Sequence, residues 1–215
     1  LPPALYWDEL SLGYDAYAIA QTGRDHHGDW FPLVAFTSYG DYKPGGYIYA
    51  IVPFIYFFGL NEWAVRLPSA LAGLAIVVGI GWLSYQLNRQ LWPAQPPSAH
   101  RLAFLVGLVV ATFSSWLIIF ARAGWEVNLA TAFLLWSVLL FLHARLYRCR
   151  WPWQLAAVGL AAAAMYTYHA TRLIAPLVLL TLFLIQFWQE LPARHGRWVS
   201  FWRAGQPLLL PGLFF

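Results

Sequence analysis

Hydrophobic and polar positions divide the chain into a mixed opening segment and a long series of apolar runs. Residues 1–45 interleave the two kinds, and within them Leu10, Tyr14, Tyr17, Ala18 and Gln21 recur at helical spacing before a stop at Thr22-Gly23. The spacing predicts a short amphipathic helix over about 9–22, lying on a membrane surface. Residues 46–60, GYIYAIVPFIYFFGL, are apolar but contain Pro53 and fall short of the roughly 20 residues that cross a bilayer. Five longer apolar runs follow, at about 67–87, 102–120, 128–147, 153–169 and 173–189, and each predicts a transmembrane helix. The last two are joined only by a tight turn around Tyr168 to Arg172. Another run opens near 207, and the first residue is Leu1 rather than Met, so the expectation is a fragment cut at both ends.

The fold class that follows is an all-α integral membrane protein. It comprises a first loop, residues 1–66, bearing short interfacial helices at about 9–22 and 46–60, and a multi-span helical bundle over 67–215. Composition strengthens this reading: 60% of the 215 residues are hydrophobic, 19% aromatic and only 10% charged, against about 25% charged in an ordinary soluble domain. The single cysteine, Cys149, excludes a disulfide framework and a thiolate metal cluster. The net charge of +4 does not point to nucleic acid, because the arginines fall between apolar runs rather than on one face.

Those arginines orient the bundle. If 46–60 stays on one side, Arg89, Arg101, Arg145, Arg148, Arg150, Arg194, Arg197 and Arg203 share a face with Glu190 alone among the acids. The opposite face holds Asp8, Glu9, Asp15, Asp25, Asp29, Asp41, Glu62 and Glu126 with Arg24, Lys43, Arg66, Arg122 and Arg172. The arginine-rich face is cytoplasmic by the positive-inside rule, so the acidic first loop is expected on the periplasmic or outer side and 46–60 in the outer interface. Polar groups from four separated segments then share one side.

The chemistry on that side centres on Asp8-Glu9, adjacent carboxylates in an aromatic, apolar setting where acids are costly unless used. The alternative is a helix cap, with Asp8 or Ser11 meeting free amides. Lys43-Pro44-Gly45-Gly46 offers a flexible cation and close backbone approach to a ligand, or an ordinary helix entry with a snorkelling lysine. Arg66 suits a phosphate contact or an i,i+4 pair with Glu62. Arg122, Glu126 and Asn128 line the same side, with an Arg122–Glu126 clasp as the structural alternative, as do Tyr168, His169 and Arg172, where tyrosine is common in any interface belt. His26-His27 with Asp25 and Asp29 lack a well-spaced further ligand for zinc, so a divalent metal is not supported.

The order of these pieces resembles the GT-C-type polyprenyl-phosphate-sugar glycosyltransferases, namely the protein O-mannosyltransferases and the lipid A aminoarabinose transferases. The resemblance rests on Asp8-Glu9, Lys43-Pro44, the interfacial segment Tyr47 to Gly59, Arg66-Leu67-Pro68-Ser69-Ala70-Leu71-Ala72-Gly73, Ala121-Arg122 and the turn Tyr166 to Arg172. The family often carries Arg-x-x-x-x-Asp where Arg122 here is followed by Glu126 and Asn128. The aminoarabinose transferases place an acid where Tyr42 stands. The resemblance implies a bacterial cytoplasmic (inner) membrane enzyme, flanking helices beyond both ends, and no certain cofactor. The donor would be a polyprenyl-phosphate-linked sugar, and the acceptor a hydroxyl on protein, lipid or glycan. It makes Asp8 the general base supported by Glu9, with Lys43, Arg66 and Arg172 at the donor phosphate and Arg122, Glu126, Asn128, Tyr168 and His169 lining the cavity. The alternative is a transporter, flippase or binding protein for a lipid-linked sugar, although the spans carry almost no ionisable residue at mid-depth, where transporters place coupling sites.

Overall fold

Helix α1, Trp7–Thr22, ends where sequence predicts, at Gly23 in the left-handed conformation (φ +71°). The computed structural model describes residues 4–144 and 151–204, the side chains of 186 and 189–204 excepted. Cys149, Arg145, Arg148, Arg150 and the apolar run near 207 lie outside the described residues, as do the side chains of Glu190, Arg194, Arg197 and Arg203.

After α1 comes a feature that an all-α reading omits. Strands β1 (Phe36–Ser38) and β2 (Asp41–Lys43) pair antiparallel in the register Phe36 with Lys43, Thr37 with Tyr42 and Ser38 with Asp41. The two-residue loop, Tyr39-Gly40, has positive φ at both positions (+49° and +81°), the backbone sense of a type I′ turn. Pro44 then leads into α2, Gly45–Phe58.

Helix α3, Glu62–Leu91, is capped by Asn61, whose side chain accepts from the Ala64 amide at 2.9 Å. Its 30 residues extend about 45 Å, enough to cross a hydrocarbon core of about 30 Å. Helices α4 (Pro97–Thr112) and α5 (Ser115–Ala121) are bent by 63° at a short break, and α6 is Glu126–Ala144. Helices α7 (Trp151–Thr167) and α8 (Thr171–Ala204) complete the described bundle.

Among the described residues, α3 and α6 are long and apolar enough to cross a membrane, and α4 with α5 makes a third if the bent pair is one span. The sequence pattern predicts five spans. The run at 102–120 is broken at Phe113-Ser114, where the chain turns. Within the described residues, α7 has 17 residues, about 26 Å, and the apolar stretch found in α8 is Thr171–Ile185, each shorter than the roughly 20 residues of a full span.

Helix α1 buries a stripe that the sequence pattern does not single out. Leu10, Tyr14 and Tyr17 are exposed, whereas Glu9, Leu12, Asp15, Ala16 and Ile19 are buried. Two carboxylates, Glu9 and Asp15, occupy the stripe that faces the core. Leu12, Ala16 and Ile19 pack with Phe36, Ile48, Ile51 and Val65 in one core, which joins α1, the hairpin, α2 and the start of α3. Tyr47 fastens that core by donating from its hydroxyl to the Val65 carbonyl at 3.0 Å. Deeper in the bundle, α3 and α6 meet through Ala72, Ile76 and Ala132, with the Trp136 indole N–H donating to the Ala75 carbonyl at 3.0 Å.

Candidate functional site

The polar segments that sequence places on one side do meet at one end of the bundle: the starts of α1, α3, α6 and α8, the end of α7, and strand β2. Asn128 Nδ2 donates to the Ser69 carbonyl at 2.7 Å and to its hydroxyl at 3.1 Å, while Ser69 donates to the Phe120 carbonyl at 3.0 Å. These bonds tie α3, α5 and α6 beneath the charged residues. Asn128 is therefore a buried crosslink rather than a cavity-lining group.

Glu9 is the best-satisfied charge at this end. Its Oε1 accepts from Arg66 Nε at 2.7 Å and from the Gly124 amide at 2.6 Å. Its Oε2 accepts from Arg66 Nη2 at 2.8 Å and from the Tyr6 amide at 2.8 Å. Arg66 Nη2 also reaches the Ala4 carbonyl at 2.9 Å. The side chain of Glu9 is fully buried. Burial alone pushes its carboxyl up, but the Arg66 fork, the two amides and the guanidinium charge together hold it below the usual range.

This bidentate pair revises three expectations. Arg66 turns to Glu9, 57 residues away in sequence, rather than to Glu62 or outward to a phosphate. Helix capping at the start of α1 falls to Glu9, through the Tyr6 amide, instead of to Asp8 or Ser11. Glu9 itself does not face a ligand; it fixes the helix turn that presents Asp8.

Asp8, the neighbouring carboxylate, points the other way and is half-exposed. Lys43 Nζ lies 2.8 Å from Asp8 Oδ1 and 4.0 Å from Glu126 Oε1. The Lys43 side chain is only 16% exposed. Burial works against its charge, yet the Asp8 hydrogen bond and the charges of Glu126, Asp8 and Asp41 outweigh it and raise its pKa above the ordinary lysine value. Glu126 thus faces Lys43, and the Arg122–Glu126 clasp does not form. Arg122 is exposed and makes no ion pair among the described residues.

The turn between α7 and α8 adds the next wall. His169 Nε2 donates to the Tyr42 carbonyl at 2.7 Å, joining this turn to the strand that carries Lys43. Thr171 stabilises the turn by donating from its hydroxyl to the Tyr168 carbonyl at 2.6 Å. Tyr168 is half-buried, and Arg172 is exposed at the start of α8. The glycines beside Lys43 serve packing: a Cβ on Gly46 would stand 2.7 Å from Thr167 Cα, so α2 approaches α7 there rather than a ligand.

Two turns further along α1 from Asp8, buried Asp15 accepts at Oδ1 from both the backbone amide and Nδ1 of His26. Burial raises the Asp15 carboxyl pKa, with His26 working in the opposite sense. Asp25 holds the intervening turn by accepting from the His27 amide at 3.0 Å and the Asp29 amide at 2.8 Å. Among the described residues, no group of three or more His, Cys, Asp or Glu side chains is placed to hold a metal ion.

Sequence reasoning singles out Asp8 and Lys43 separately; their pairing depends on the Tyr39-Gly40 turn, whose Gly is its only common signal. Asp15 and His26 carry no recognisable spacing at all. No family model, no curated protein and no solved structure matches this chain.

Proposed function

We propose that this chain is the catalytic-loop portion of a multi-span membrane glycosyltransferase. It moves a sugar from a polyprenyl-phosphate donor to a hydroxyl acceptor outside the cytoplasmic membrane. The observation that carries the reading is the Asp8–Lys43 pair: a half-exposed carboxylate 2.8 Å from a nearly buried lysine, beside Glu126 at 4.0 Å. It lies on the acid-rich side that the positive-inside rule directs outward.

In this reaction the acceptor oxygen attacks the anomeric carbon as the carbon–oxygen bond to the donor phosphate breaks. Asp8 takes the acceptor proton, configuration inverts, and the leaving polyprenyl phosphate departs already charged, so no general acid is needed. Lys43 is held by Asp8 before the donor arrives. A donor phosphate competes for that ammonium, which frees the Asp8 carboxylate for the acceptor. Exposed Arg172, at the start of α8 beside the His169 turn, is the second cation for the phosphate. Arg66 and Glu9 contribute by holding the start of α1 in place.

Membranes containing the protein, supplied with radiolabelled polyprenyl-phosphate sugars, test the reading. Wild-type membranes should release free polyprenyl phosphate and label an acceptor, and Asp8→Asn should slow this by about 10²- to 10⁴-fold. Equal rates in the two would overturn the role of Asp8. Labelled lipid that crosses the bilayer intact, with no transfer, would identify a flippase instead.

A further inference from the structure

A pocket further along α1 from Asp8 has a volume of about 460 Å³ and is lined by Ser11, Tyr14, His26, His27, Ser38 and Tyr39 among others. That volume is in the range of small-ligand sites, about 300–1,000 Å³. Its walls come from α1, the turn after it and the β1–β2 hairpin.

Three features set it apart from an incidental crevice. The first is His26, whose Nδ1 is bonded to the buried carboxylate of Asp15. A neutral imidazole that gives its Nδ1 proton to a carboxylate keeps a lone pair on Nε2, in a ring orientation fixed from behind. The second is the pair of hydroxyls, Ser11 and Ser38, bonded to each other across α1 and β1 and both buried.

The third is Tyr39. It occupies the first position of a type I′ turn, where Asn, Asp or Gly fit without strain, and it does so with φ +49° and its ring exposed. Its one ring contact among the described residues is edge-on to Trp7, at 5.1 Å between centroids. A bulky aromatic at a costly backbone position on the rim of a pocket is a feature whose use is outside its own fold.

Aromatic faces beside a fixed imidazole and paired hydroxyls match the two sides of a sugar: an apolar C–H face and a ring of hydroxyl groups. We propose that this pocket binds a carbohydrate ring, stacked on Tyr39 and Tyr14 and hydrogen-bonded to His26 Nε2 and the Ser11 and Ser38 hydroxyls. The site does not depend on transferase chemistry at Asp8.

Saturation-transfer NMR on the purified protein in detergent, with a panel of methyl glycosides (gluco, manno, galacto and N-acetylgluco), is the test. At least one glycoside should receive saturation from wild type. Binding should weaken by at least about fivefold in Tyr39→Asn and in His26→Phe, the size of one lost aromatic or hydrogen-bonding contact. Tyr39→Asn keeps the comparison clean, because Asn-Gly suits a type I′ turn and the variant should unfold no earlier than wild type. Absence of transfer to every glycoside, or equal transfer in wild type and Tyr39→Asn, overturns the proposal. Adding a polyprenyl-phosphate sugar identifies the source and upholds the site either way: loss of the signal assigns the ring to a donor sugar, and persistence assigns it to a separate glycan.

Discussion

Asp8 and Glu9 are adjacent in sequence and opposite in kind. Glu9 is buried with every oxygen engaged, while Asp8 is half-exposed against Lys43. Removing one member of a buried ion pair costs about 3–5 kcal/mol, whereas an exposed pair contributes about 0–1 kcal/mol. Glu9→Gln should therefore sharply lower the thermal unfolding temperature of the detergent-solubilised protein, and Asp8→Asn should leave it nearly unchanged. A similar loss in both would mean that the two acids do one job. The pH dependence follows from the same geometry. Because the folded-state pKa of Glu9 is lowered, the unfolded chain binds its proton more readily. The Glu9 contribution is fully present above the ordinary glutamate pKa of about 4.3 and is lost as pH falls through the lower folded value. Asp15 has the opposite sign: with its folded pKa raised by burial, its contribution is present at acid pH and lost as pH rises through that value. Stability of Asp15→Asn against wild type, measured between pH 4 and pH 8, should show wild type gaining relative stability toward the acid end.

At the scale of elements, the apolar runs were legible as helical, and the break between α4 and α5 and the residues each helix turns to the core were not. Period and stop signals locate α1 and Pro44 marks the entry to α2, whereas the apolar runs at 67–87 and 128–147 begin after the helices do, because α3 and α6 open on the polar residues Glu62 and Glu126. What hydrophobicity cannot report is that α1 turns Glu9 and Asp15 inward, because both are satisfied by partners far along the chain: Arg66, Gly124 and His26. The hairpin escaped for a different reason. Its strands have three residues each and its turn carries Tyr39 where the common signal is Asn. Lys43 owes its position to that hairpin, so the Asp8–Lys43–Glu126 grouping could be listed from sequence but not assembled. The Gly45-Gly46 step was legible as close approach, though toward α7 rather than a ligand. Gly46→Val places side-chain atoms against the Thr167 backbone, which cannot yield as a flexible side chain would. A cost of about 1–3 kcal/mol is expected, with α2 displaced from α7. A disulfide probe linking the two helices should then form more slowly, and an unchanged rate would show that the glycine is not needed there.

For the whole molecule, the consequential question is which sides of the membrane the two ends of α3 face. At about 45 Å the helix exceeds the hydrocarbon thickness, and its only charged residues are Glu62, Arg66 and Arg89, all near its ends. A helix of that length and composition lying along the surface would leave Leu71, Leu74 and Val78 exposed to water, an apolar stripe along most of its length. Crossing puts that stripe in lipid and separates Asp41, on the hairpin, from Gln95, in the loop beyond the far end of α3. Both residues are exposed, so cysteine can replace either without disturbing the core. In a Cys149→Ser background, a membrane-impermeant maleimide should label Asp41→Cys in intact spheroplasts and Gln95→Cys only in inverted vesicles. Labelling of both from one side would show that α3 does not cross, and would overturn the proposed outward-facing site with it. Labelling of each from the reverse side would place Asp8 and Lys43 in the cytoplasm, where an outward-delivered lipid-linked donor would not reach them.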